Sequence, residues 1–209
     1  MSGSNKISIG FFGGSFNPIH YGHLLLAESA RVEFNLRSVI FIPTGNPGYG
    51  KETLPIEPEH RFNMVLLAIS SNPYFFISRT EIERNKPTYT IDTLKKLINI
   101  YDPSIYEYYY IVGLDSALDL PNWKEINEVL NYTSFAVGTR GDYSIDEFHR
   151  KLSPFERYFS KIHLFKMPLI EISSRLIRDR VKEDRSIKYL VPEAVEEYIF
   201  KNNLYRKGG

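Results

Sequence analysis

Short apolar runs alternate along this chain with stretches in which apolar residues return every three or four positions. The runs Ile7–Phe12, Val39–Ile42, Phe75–Ser78, Tyr108–Val112, Ser134–Val137 and Ile162–Phe165 predict strands. The longer period predicts helices at Gly22–Phe34, Glu59–Ser71, Ile91–Tyr101, Trp123–Leu130, Ile145–Lys151, Ser174–Lys182 and Glu193–Lys201. Alternation of this kind predicts a doubly wound, Rossmann-like α/β fold, a parallel sheet with helices on both faces. No repeat, low-complexity tract or linker interrupts it, so a single domain over residues 1–209 is expected, with residues 1–6 as a flexible tail. Ligands in such folds bind at the carboxyl ends of the strands, where the strand order reverses.

The segment after the first strand is therefore the first place to look for chemistry. It reads Gly13-Gly14-Ser15-Phe16-Asn17-Pro18-Ile19-His20-Tyr21-Gly22-His23 and leads directly into a helical pattern. A strand that breaks at two glycines and turns into a helix predicts a phosphate site. Small residues let the anion approach the backbone, and the helix start supplies unpaired N–H groups and partial positive charge. His20 and His23 are three residues apart, which places both on one side of the first turn.

A second group follows the last strand, Ile172-Ser173-Ser174-Arg175-Leu176-Ile177-Arg178. Ser173 or Ser174 caps the helix that starts there. Arg178 lies one turn in, and helical side chains lean toward the N-terminus, so its guanidinium reaches the same anion as the cap. A third stretch, Gly45-Asn46-Pro47-Gly48-Tyr49-Gly50-Lys51-Glu52, nearly spells a P-loop but fails on chemistry. Glu52 stands where the Mg²⁺-binding hydroxyl belongs, and no helix pattern closes the loop. It is expected instead to be a loop that covers substrate, with Lys51 reaching an anion.

Composition narrows the classes. With 43% hydrophobic and 24% charged residues the chain resembles an ordinary globular protein. The net charge of +1 gives no field to gather nucleic acid or an anionic membrane. No apolar run is long enough to span a bilayer, and no signal-peptide pattern precedes Ile7. The absence of cysteine excludes disulfides, thiolate zinc sites and thiol nucleophiles. A cytoplasmic location is expected, and the sequence is compatible with a homo-oligomer.

His20-Tyr21-Gly22-His23 and Ile172-Ser173-Ser174-x-x-Ile177-Arg178 resemble the two signatures of the His-x-Gly-His nucleotidyltransferase superfamily. Within it, further segments resemble nicotinate-nucleotide adenylyltransferases. These are Phe41-Ile-Pro-Thr-Gly-Asn-Pro47, His60-Arg61, Pro87-Thr-Tyr-Thr-Ile-Asp-Thr-Leu94, Ile111-Val-Gly-Leu-Asp-Ser116 with Leu120 and Trp123, and Ser186-Ile-Lys-Tyr-Leu-Val-Pro192. The resemblance implies transfer of AMP from ATP to nicotinate mononucleotide, with release of pyrophosphate. It implies His20, His23 and Arg178 as the catalytic residues. Gly13, Gly14, Ser15, Phe16, Gly22, Gly113, Asp115, Ile172, Ser173 and Ser174 join them in binding ATP. Asn46, Lys51, Thr88, Tyr89, Thr90, Leu120, Trp123 and Arg140 would bind the mononucleotide.

These assignments have a chemical sense. Thr88 and Thr90 offer hydroxyls to a carboxylate or phosphate. Asp115 follows a strand end, where a carboxylate accepts ribose hydroxyls of either nucleotide. Trp123 offers a flat face to an electron-poor pyridine ring. Transfer to a phosphate needs no base, because the attacking oxygen is already anionic, so alignment and charge neutralisation suffice. No acidic cluster suggests a protein-built metal cage, and Mg²⁺ is expected to arrive with the nucleotide phosphates.

Two positions depart from the family pattern. Pro47-Gly-Tyr-Gly-Lys51 replaces Pro-Pro-His-Lys, and Arg175 stands where threonine is usual. Other readings remain open: the same chemistry on nicotinamide mononucleotide or phosphopantetheine, a nucleotide-binding regulator without turnover, and a nucleic-acid-binding module, which the charge balance disfavours.

Overall fold

A computed structural model describes residues 6–45, 56–84, 86–140, 148, 150 and 152–206. Six strands form one sheet: β1 (Ile7–Gly14), β2 (Ser38–Pro43), β3 (Phe75–Ile77), β4 (Tyr106–Gly113), β5 (Ser134–Arg140) and β6 (Ile162–Met167). Their order is β3-β2-β1-β4-β5-β6, with β1, β4, β5 and β6 paired in parallel. This is the doubly wound order expected from the alternation. The strand order reverses between β1 and β4, and ligands of such sheets bind at the carboxyl ends of the strands at that point. Central strands buried on both faces need apolar side chains throughout, and Ile9, Phe11, Phe12, Ile111, Val112, Phe135, Ala136 and Val137 are all buried.

The helices are α1 (Tyr21–Glu33), α2 (Pro58–Ile69), α3 (Thr90–Ile100), α4 (Leu114–Leu118), α5 (Ile126–Tyr132), α6 (Ser174–Lys182) and α7 (Glu193–Lys201). Pro58 opens α2, where a missing N–H costs nothing. Phe62, Met64, Val65, Ala68 and Ile69 line its buried face. Of the expected helix at Ile145–Lys151, only Phe148 and Arg150 are among the described residues. No helix among the described residues is long and apolar enough to cross a membrane.

The chain divides into two compact units that interleave in sequence. One comprises Met1–Gly13, Leu26–Ile40 and Tyr89–Leu169; the other comprises Gly14–Leu25, Phe41–Thr88 and Ile170–Gly209. The first contains β4, β5 and β6 with α3, α4 and α5, and its aromatic core includes Phe11 stacked on Tyr108 at 5.5 Å. In the second, α2 packs on α7. His60 Nδ1 lies 3.0 Å from the Tyr198 hydroxyl, to which Asn63 Nδ2 donates at the same distance.

Candidate active site

β1 continues through Gly13 and Gly14, so the turn expected at the glycine pair falls later, over residues 15–18. Close approach, not a bend, explains Gly13: a Cβ there would lie 2.2 Å from the Tyr110 hydroxyl. The chain turns instead at Phe16, whose φ of 44° lies in the left-handed region. Bulky residues adopt that region only when their surroundings over-determine it. Here the Phe16 ring is buried, with ring centroids 5.2 Å from His23, edge-on, and 5.8 Å from Phe41. The next peptide bond, Asn17–Pro18, is cis.

His20 stands at the start of α1, its carbonyl accepting the N–H groups of His23 at 2.9 Å and Leu24 at 3.3 Å. Its own N–H donates to His23 Nδ1 at 3.3 Å. A neutral His23 that accepts at Nδ1 carries its proton on Nε2, so Nε2 is its donor. The two imidazoles stack with centroids 3.7 Å apart, and His20 is only 3% exposed. Gly22 makes room for this pair. A Cβ there would press within 3.0 Å of His20 Nδ1 and 3.5 Å of the Ile172 carbonyl oxygen.

The second motif meets the first. Ser173 caps α6, its Oγ accepting the Leu176 N–H at 3.1 Å. Ser174 Oγ donates to the Pro18 carbonyl at 2.8 Å, and Arg178 Nη1 donates to the Asn17 carbonyl at 2.7 Å. Residues separated by 156 and 161 positions are thus joined directly. Arg175, the departure from the family pattern, is exposed. Two helix starts, a stacked histidine pair and a guanidinium form a set suited to a polyphosphate: N–H donors and positive ends toward oxyanions, and charge-assisted bonds from side chains.

Two residues that sequence reasoning left out of the site touch the same turn. Arg61, 0% exposed, donates from Nη1 to the Ser15 carbonyl and from Nη2 to the Gly45 carbonyl, both at 2.9 Å. The Tyr205 hydroxyl donates to Asn17 Oδ1 at 2.6 Å. Arg61 was visible only as part of a family-like helix, and no local pattern marks Tyr205.

The remaining expected residues lie mostly in the first unit. β4 ends at Gly113, where a Cβ would meet nothing within 4 Å, and the exposed Asp115 sits in the first turn of α4. Tyr89 precedes α3 and its carbonyl accepts the Thr93 N–H at 3.1 Å, so Thr90 is the first helical residue. The Lys124 ammonium lies 4.5 Å from the Tyr89 ring centroid, a cation–π contact. Leu120 is buried, as is Thr88 in the second unit. Arg140 is the last residue of β5. Asn46 and Lys51 lie outside the described residues.

The helix expected at Trp123–Leu130 is corrected to α5, starting at Ile126. The Trp123 N–H closes a 3-10 turn on the Leu120 carbonyl at 3.0 Å, and Trp123 itself is extended (φ −75°, ψ 137°). Glu125, left-handed at φ 52°, then breaks the helical path. The indole is half-buried, edge-on to Tyr110 and Phe135 with centroids 5.8 and 5.9 Å away. Those contacts brace its edge.

Comparison with known proteins agrees with this arrangement. Residues 11–180 match the family model described as cytidylyltransferase-like. A relative from Moorella thermoacetica, named "Probable nicotinate-nucleotide adenylyltransferase", is 44% identical over 95% of this chain and 91% of its own length. One of the same name from Lachnoclostridium phytofermentans is 42% identical, over 94% and 98%. Among solved structures, nicotinic acid mononucleotide adenylyltransferase of Plasmodium falciparum, complexed with NaAD, superposes with a TM-score of 0.76. It is 25% identical and covers 95% of this chain and 97% of that one. The same protein complexed with APC gives 0.75. With its two signature segments joined at one turn and its relatives matched over nearly their full length, the chain belongs to the nicotinate-nucleotide adenylyltransferase family.

Proposed function

We propose that this protein transfers AMP from ATP to nicotinate mononucleotide, giving nicotinate adenine dinucleotide and pyrophosphate. The observation that carries the reading is the junction of the two motifs. Ser174 and Arg178 are bonded to the Pro18 and Asn17 carbonyls, directly before the stacked His20–His23 pair. A phosphate oxygen of the mononucleotide attacks the α-phosphorus of ATP. A new P–O bond forms, the bond between the α-phosphorus and the bridging oxygen breaks, and pyrophosphate departs with the electron pair. No proton has to be removed from the nucleophile, so the protein's work is alignment and stabilisation of charge on the leaving group.

In this reading His20, His23, Ser173 and Arg178 hold the triphosphate. Gly13, Gly14, Ser15, Phe16, Gly22, Ile172 and Ser174 shape the backbone around it. Gly113 and Asp115 meet ribose hydroxyls. Thr88, Tyr89, Thr90, Leu120, Trp123 and Arg140 position the mononucleotide. Among the described residues no group of three or more His, Cys, Asp or Glu side chains is placed to hold a metal. Mg²⁺ is proposed to keep its waters and enter on the nucleotide, where it would neutralise phosphate charge. A cytoplasmic location belongs to the same proposal.

The test is a pyrophosphate-release assay with ATP and Mg²⁺, comparing nicotinate and nicotinamide mononucleotides. The acid is expected to be preferred by more than about tenfold in kcat/KM, since a carboxylate gains charge-assisted bonds that an amide does not. A ratio near one would overturn the acid-specific reading. Within the same assay, Trp123→Ala is expected to raise KM for the mononucleotide about tenfold, the loss of one aromatic face, with KM for ATP unchanged. An unchanged mononucleotide KM would remove Trp123 from the site.

A further inference from the structure

The turn over residues 15–18 is held by side chains on successive carbonyls. Arg61 binds the Ser15 carbonyl, Arg178 the Asn17 carbonyl and Ser174 the Pro18 carbonyl. Tyr205 holds the Asn17 side chain, which is 2% exposed. Ser174 and Arg178 belong to the phosphate-binding motif. Arg61 and Tyr205 do not; Arg61 lies in a family-like segment, but the proposed mechanism gives neither residue a part.

From this geometry we infer that Arg61 and Tyr205 are positioning residues. Together they fix the Ser15–Pro18 turn in the form that receives the triphosphate, without touching substrate themselves. The inference rests on the proposed nucleotidyl transfer for its catalytic meaning, but its structural core concerns polyphosphate binding alone.

Three observations support it. First, the Arg61 fork bridges two chain exits at once, holding the carbonyls of Ser15 beyond β1 and Gly45 beyond β2. The Thr44 N–H, bonded to the Gly14 carbonyl at 2.9 Å, ties the same exits one step earlier. A trans peptide points its C=O and N–H in opposite directions. Fixing the Ser15 carbonyl on Arg61 therefore aims the Phe16 N–H away from the buried guanidinium.

Second, the arrangement is expensive. Arg61 is fully buried, and its Nε has no hydrogen-bond partner among the described residues. Burial lowers its pKa to about 10, opposed by the nearby Glu81, so it is still a cation at neutral pH. A buried guanidinium on two neutral carbonyls is a poor device for stability alone. It is a good one for holding a turn that is itself strained at Phe16.

Third, Tyr205 meets Asn17 from the far end of the chain, 188 residues away, in a buried bond. Burial pushes its hydroxyl well above the ordinary tyrosine range, opposed by Arg178 and Arg61, so it stays protonated and donates. Its acceptor side chain lies three residues before His20.

The test uses inorganic tripolyphosphate, which reports on the turn without any acceptor. Its affinity is measured calorimetrically for the wild type, Tyr205→Phe and Arg61→Lys, beside nicotinate mononucleotide affinity, kcat and thermal midpoint. Tyr205→Phe deletes one hydroxyl; Arg61→Lys keeps the charge but cannot bridge two carbonyls. Tyr205→Phe is expected to weaken tripolyphosphate about fivefold, the loss of one hydrogen bond, and to lower kcat comparably, with mononucleotide affinity unchanged. Arg61→Lys is expected to lose more of both; if it fails to fold, Tyr205→Phe decides alone. Unchanged tripolyphosphate affinity in folded Tyr205→Phe overturns the inference. So does equal weakening of both ligands, which would mean general loosening, and so does a wild type that does not bind tripolyphosphate. A wild type that binds it but does not use nicotinate mononucleotide would instead fault the acceptor assignment, and the Tyr205→Phe loss would still uphold the positioning role.

Discussion

Replacing His23 by alanine is expected to lower kcat about 10²–10³-fold, the effect of removing one donor aimed at charge that develops in the transition state. KM for nicotinate mononucleotide is expected to change by less than about threefold, because in the proposed mechanism His23 serves the leaving pyrophosphate and not the acceptor. The geometry makes the residue hard to replace. Its Nδ1 is occupied by the His20 N–H, so its neutral ring has one defined donor, Nε2. His20→Ala is expected to be at least as damaging, since it also removes the buried ring on which His23 stacks at 3.7 Å. Glutamine at position 23 has an amide donor of similar reach and should recover part of the loss. Steady-state pyrophosphate release measures all three variants, and near wild-type turnover in either alanine variant would end the catalytic assignment.

The second large effect is expected at Arg178. Arg178→Ala removes a cation from the proposed triphosphate site and the bond from Nη1 to the Asn17 carbonyl. Charge-assisted hydrogen bonds contribute about 1.5–3 kcal/mol each, so losing both should lower kcat/KM for ATP by roughly 10²–10⁴-fold. Arg178→Lys separates the two roles. A lysine restores the charge but has one nitrogen to divide between carbonyl and phosphate. It is expected to recover only part of the loss, with the remaining defect in kcat more than in KM for ATP. Full recovery by lysine would show that charge alone matters and that the tether to Asn17 is incidental.

The parts of this protein written in local patterns were legible in the sequence. All six strands appear where apolar runs occur, and α6 and α7 have the expected bounds, Ser174–Lys182 and Glu193–Lys201. The capped start at Ser173 and the paired histidines follow from spacing on a helix. What escaped is what the distant chain imposes. Phe16 takes a left-handed backbone against its own preference, because His23 and Phe41 pack around its ring. The glycine pair looked like the turn, yet Gly13 is needed for the approach of Tyr110. Trp123 reads as helical by period, but the 3-10 turn at Leu120–Asn122 and the left-handed Glu125 cut the path on either side. Arg61 and Tyr205 act through partners 46 and 188 residues away, and no window along the sequence contains both ends of such a bond.

That separation has a consequence for synthesis. The His20–His23 signature emerges from the ribosome well before Ser174, Arg178 and Tyr205, which hold its turn from 156, 161 and 188 residues further along. Contacts so remote along the chain form only after long loops have closed. A nascent polypeptide should therefore stay inert toward nucleotide until those later residues have emerged.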